Sequence, residues 1–75
     1  MNHADLRDAL ILAIHEHGIA LEDYHVAMMD AEEHPDDEDA SISLEEAVLT
    51  LMETSNAQRQ ALRALADFCA LASAN

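Results

Sequence analysis

Apolar residues recur along the chain with helical spacing in two long runs, one on each side of an acidic stretch. In the first run His3, Leu10, His17, Tyr24 and Ala31 stand seven apart, and Leu6, Ala13, Ala20 and Ala27 make the adjoining row. Ile14, Leu21 and Met28 flank both rows. Residues three, four and seven apart share one side of an α-helix, so these rows form a broad core-facing stripe. The spacing predicts a helix over about residues 4–33, with Asn2 as N-cap and Asp5 in the first turn, where a negative charge meets the positive end of the helix dipole. Gly18 falls inside this helix, but the apolar phase runs through it from Leu10, Ala13 and Ile14 to Leu21, Tyr24 and Met28. A true break resets such a phase, so the helix is expected to continue past Gly18.

The first helix must stop near His34, because the residue before Pro35 is pushed out of the α region. Residues 35–41 read as a loop. Ser43-Leu44-Glu45-Glu46 then reads as a capping box, with Ile42 stapling onto Ala47, so a second helix is expected over about residues 43–72. Its rows are Leu44, Leu51, Gln58, Leu65 and Ala72, and Val48, Ser55, Leu62 and Cys69. The fold class is all-α: one domain, an antiparallel two-helix hairpin. Folded back at the loop, residue i of the first helix faces roughly residue 77 − i of the second. That register sets His17 near Gln58, and Ser55 beside it. Such a polar layer admits one alignment, since unpaired polar burial is costly.

A thinner second stripe, Leu12, Ile19 and Val26 with Met29 nearby, lies off the first. One partner helix cannot cover both stripes. The hairpin is therefore expected to dimerise into a four-helix bundle, or to dock another protein, through Leu12, Ile19, Val26 and Met29.

Composition narrows the picture further. A chain of 75 residues has little interior for its surface. Cys69 is the only cysteine, so no internal disulfide can staple it. Apolar residues make up 51% of the chain, too many for a disordered acidic tail. No charge-free run is long enough to span a bilayer, and the N-terminal MNHADLRDAL lacks the basic-then-apolar order of a signal peptide. The expected location is cytoplasmic.

Charge gives the one functional pointer. The net charge is −13, with Arg7, Arg59 and Arg63 the only cations besides histidine and no lysine at all. The stretch from Asp30 to Glu46 holds nine of the sixteen acids. Solubility of a small domain needs a net charge of only about 2–8 in magnitude. Such a chain repels nucleic acid and anionic membranes and is drawn to basic surfaces. The expected partner is a protein with a basic surface, contacted by Glu32, Glu33, Asp36, Asp37, Glu38, Asp39, Glu45 and Glu46. Acids displayed on a rigid helical body can occupy the Arg/Lys groove of a nucleic-acid-binding protein and release the same counterions that nucleic acid does. In size and charge the chain resembles the small inhibitors carried by phages and mobile elements, anti-CRISPR-like proteins among them. The likeness is one of class and not of motif.

Other chemistry finds weaker support. Glu22 and His25 have the Glu-x-x-His spacing of di-iron bundles, which makes a metal-binding, ferritin-like half-bundle an alternative. The second helix offers only Glu53 at a comparable level, so no metal ligands or cofactor are assigned. Asp37, Asp39 and Ser41 alternate like a calcium loop, but the required glycine is missing and Val48 stands where a bidentate glutamate belongs. Cys69 lies in an apolar row, away from any helix N-terminus that would activate it. No catalytic residues are assigned and no enzyme is expected. The first alternative to the inhibitor, ahead of the metal-binding half-bundle, is a helical adaptor or regulator that binds its partner through the apolar stripe, with the acids only solubilising.

Overall fold

A computed structural model describes residues 2–73. Among these the chain is two helices and no strand: α1 (His3–Glu33) and α2 (Glu38–Ser73). They pack side by side in opposite directions. The ring centroids of His3 and Phe68 lie 6.0 Å apart, and His17 Nδ1 lies 2.9 Å from Thr54 Oγ1. The Cα trace is a rod of 60 × 14 × 14 Å.

α1 begins where the sequence predicts. The Asn2 side chain accepts a hydrogen bond of 2.9 Å from the Asp5 N–H, satisfying one of the free donors of the first turn. Gly18 is helical and has no positive φ. α1 ends before Pro35, with His34 at φ −128° and ψ 65°, outside the α region. The His34 N–H still reaches the Asp30 carbonyl at 2.9 Å.

The connection is shorter than expected. The Asp37 N–H bonds the His34 carbonyl at 3.0 Å, which makes His34-Pro35-Asp36-Asp37 a turn with proline at its second position, where its fixed φ fits. Asp37 then caps α2: its carboxylate accepts the Asp39 N–H at 3.0 Å, and its carbonyl accepts the Ser41 N–H at 3.2 Å. α2 therefore starts at Glu38, five residues before Ser43, and the loop is not 35–41. Two carboxylates in the first turn, Glu38 and Asp39, add to the advantage of this start. Ala40, only 3% exposed, packs in the interior because of it.

The tighter turn resets the register. Residue i of α1 faces about residue 71 − i of α2, six residues away from the expected pairing. It also turns α2 about its axis. The predicted row Leu44, Leu51, Gln58 and Leu65 is half-buried as expected, but its companion row is Ala40, Ala47, Thr54, Ala61 and Phe68. Val48, Leu62 and Cys69 are exposed instead. The His17 layer survives with a different partner. Thr54 Oγ1 donates to the Leu51 carbonyl at 3.1 Å, so it accepts from His17 and sets the Nδ1–H tautomer of that ring. Ser55 and Gln58 lie beside this pair, half-buried.

The core is thin. Among the described residues only Leu6, Ala13, Ala20 and Ala40 are buried. Three of these four are alanines, whose small side chains let two helices approach closely but remove little apolar area from water.

Candidate functional site

Two helices have two flanks, and in this hairpin the flanks differ in charge. On one flank α1 places Glu16, Asp23 and Asp30 at seven-residue intervals, about 10.5 Å apart. On the same side α2 places Asp39, Glu46 and Glu53 at the same interval. Asp23, Asp30, Glu33 and Glu46 line one shallow groove between the helices, toward the turn, with Ala20, Ala27 and Ala47 at its floor. Nearer the termini the groove continues between Ala9, Leu12, Ala13 and Glu16 of α1 and Ala57, Gln60, Ala61 and Ala64 of α2. No arginine lines either part.

The expected partner-binding acids, Glu32, Glu33, Asp36, Asp37, Glu38, Asp39, Glu45 and Glu46, are all exposed and stand together at the turn end of the rod. They are not equivalent. Asp37 is committed to capping, and Glu38 and Asp39 sit in the first turn of α2. Glu33 and Glu46 face the groove, where Asp23 and Asp30 join them. Glu16, Asp23 and Asp30 line the groove as well and lie outside the eight expected residues. Their mark in the sequence is a repeat at seven, one position before His17, Tyr24 and Ala31 of the inner row.

The apolar stripe Leu12, Ile19, Val26 and Met29 is solvent-facing, with 57%, 48%, 69% and 58% of each residue exposed. Leu12, Val26 and Met29 line the acidic groove itself, so this stripe and the acids share one side.

The opposite flank is apolar, and no acid lines its groove. Leu21, Leu51, Met52 and Ser55 surround a shallow groove there with His17, Asn56 and Arg59. Ile14 above and Val48 and Leu62 on α2 extend it at seven-residue spacing from Leu21 and Ser55, and all three are exposed. Arg59 is held by a 2.7 Å hydrogen bond from Nη2 to Asn56 Oδ1.

Glu22 and His25 are both exposed and lie off the inner rows. Among the described residues no three His, Cys, Asp or Glu side chains converge as a metal would need. The ion pairs among the described residues are peripheral: Arg7 with Asp8 at 3.6 Å and His34 with Asp30 at 4.0 Å. No helix among the described residues is long and apolar enough to cross a membrane. Compared with protein-family models, with curated proteins and with solved structures, the chain matches none.

Proposed function

We propose that this chain is a small, acidic, non-enzymatic binding protein that occupies the basic, nucleic-acid-binding surface of another protein and so inhibits it, in the manner of phage or mobile-element anti-defence proteins. The observation that carries the reading is the acid-lined side of the rod: Glu16, Asp23 and Asp30 of α1 opposite Glu46 and Glu53 of α2, with no arginine between them. Two rows of carboxylates on a stiff helical body offer a basic groove the spaced negative charge of a nucleic-acid backbone, and the protein contributes no ordering cost beyond side-chain rotamers. The chain acts as a self-associated pair, two hairpins forming a four-helix bundle.

A basic partner should bind steeply less well in salt. For six or more paired charges, affinity falls on the order of a thousandfold between about 50 and about 200 mM salt. The test is capture from a bacterial lysate by the immobilised protein, with duplex DNA as competitor. A nucleic-acid-binding protein should be retained, be displaced by DNA, and be lost by a variant carrying Asp23→Asn, Asp30→Asn, Glu33→Gln and Glu46→Gln. Retention of the same protein by that variant, unmoved by DNA and salt, would sink the mimic reading.

A second reading has its own observation. Leu12, Val26 and Met29 stand among those acids, so the same side suits a partner helix that is apolar along one stripe and basic along its rims. An adaptor of that kind keeps its partner at high salt and loses it on Val26→Ser with Met29→Ser.

A further inference from the structure

The isolated hairpin exposes 5658 Å². A compact folded chain of 8.2 kDa exposes about 4500 Å². The surplus of about 1100 Å² is of the size each partner gives to a standard interface, about 800 Å². Where that surplus lies is decided by charge. Two copies that each carry −13 repel on every side that displays carboxylates. On the side around Ile14, Leu21, Val48, Met52 and Leu62 the large apolar side chains are 36–59% exposed, the charge lining the groove is Arg59, and the acid, Glu45, stands at the turn end one helical turn before Val48. The Leu12, Ile19 and Val26 row lies among acids and does not meet this condition.

Charge along the rod fixes the orientation. Arg7, Arg59 and Arg63 all lie in the half that holds the chain termini, while nine of the sixteen acids lie between Asp30 and Glu46 around the turn. A parallel pair brings the two acidic ends together, within reach of unscreened repulsion. An antiparallel pair separates them by the length of the rod and turns each toward the arginines of the other copy.

We infer that the occupant of the Ile14, Leu21, Val48, Met52 and Leu62 side is a second copy of this chain, related by a two-fold axis near the level of His17 and Ser55 and running antiparallel to the first. The inference rests on the self-association proposed above and adds its face and its direction. On that axis Ser55 of one copy meets Ser55 of the other across the α2–α2 contact. The two Cys69 residues, near opposite ends of the pair, then stand about 40 Å apart.

Sedimentation equilibrium of the full chain should give twice the 8.2 kDa chain mass. Leu21→Glu with Leu62→Glu sets unpaired charge in the contact and should weaken dimerisation by about a hundredfold or more. Ile19→Glu with Val26→Glu should leave it intact. A short bis-maleimide should link Ser55→Cys chains in a Cys69→Ser background and should not link the wild type through Cys69. The linking test adds no charge, so it decides the case where the glutamate pair unfolds the chain. A monomeric wild type overturns self-association and this inference together. A dimer that resists Leu21→Glu with Leu62→Glu, or that falls apart on Ile19→Glu with Val26→Glu, overturns the face alone. Linking through Cys69 in the wild type overturns the antiparallel direction alone, because a parallel pair holds the two Cys69 residues as close together as the two residues at position 55.

Discussion

Asp37 and Ser43 compete to begin α2, and the winner has consequences for the whole molecule. Asp37 accepts the Asp39 N–H, while Ser43 sits within the second turn of the helix, exposed. Asp37→Ala should therefore cost about 1 kcal/mol of stability, and Ser43→Ala less than about 0.5 kcal/mol. Denaturant melts of the two variants distinguish the two starts, because a helix that began at Ser43 would reverse the order. His17 and Thr54 make the other informative pair. The Thr54 hydroxyl keeps the Leu51 carbonyl when His17 is removed, so His17→Leu leaves no polar group orphaned and adds apolar contact. It should raise stability by about 1 kcal/mol. Thr54→Val removes the acceptor from a half-buried ring and should lower stability by a similar amount. If thermal melts showed His17→Leu destabilising, the ring would be making contacts beyond Thr54.

Between the helices, the seam is built from alanine. Ala13 and Ala20 of α1 are 8% and 4% exposed, and Ala40 of α2 is 3% exposed. Where small side chains set the approach, larger ones have no room. Ala20→Leu should cost about 1–3 kcal/mol through overpacking, measured by denaturant melt, whereas Ile19→Ala on the outer side of the same turn should change little. The inner rows of α1 were readable because the broader of its two apolar stripes, sustained over 31 residues, is the one that packs inward. The rows of α2 were half readable. Leu44, Leu51, Gln58 and Leu65 follow the period, but both neighbouring rows contain small or apolar residues, Ala40, Ala47 and Ala61 on one side and Val48, Leu62 and Cys69 on the other. A hydropathy pattern favours the bulkier row. The close approach of two alanine-lined helices favours the smaller one.

For the molecule as a whole, a net charge of −13 on a rod 60 Å long means that self-repulsion opposes both folding and pairing. Added salt screens that repulsion over roughly 10 Å at 0.1 M. The thermal midpoint should rise from low to moderate sodium chloride, the reverse of the weakening expected for capture of a basic partner. Far-UV circular dichroism melts at fixed protein concentration check the first, and the lysate capture checks the second. A midpoint that falls with salt would mean that attractive ion pairs outweigh repulsion, at odds with the two peripheral pairs among the described residues.

Local chemistry determined much of this in advance. The period of α1, its Asn2 cap, its end before Pro35 and its continuity through Gly18 follow from propensity, sterics and spacing within one segment. The all-α class follows from the same local rules, whereas the partner of His17 does not. The site was legible only as an excess of acid around the turn. Which acids share a surface, with what between them, depends on how α2 is rotated against α1, and that rotation is a property of two segments in contact. The turn at His34–Asp37 set it: a connection of four residues in place of seven moved the pairing by six residues, brought Thr54 to His17 and Phe68 to His3, and turned Cys69, Leu62 and Val48 outward. A six-residue slip is not a whole number of 3.6-residue turns, so it changes the face as well as the level, and only packing of the two helices together selects between the alternatives.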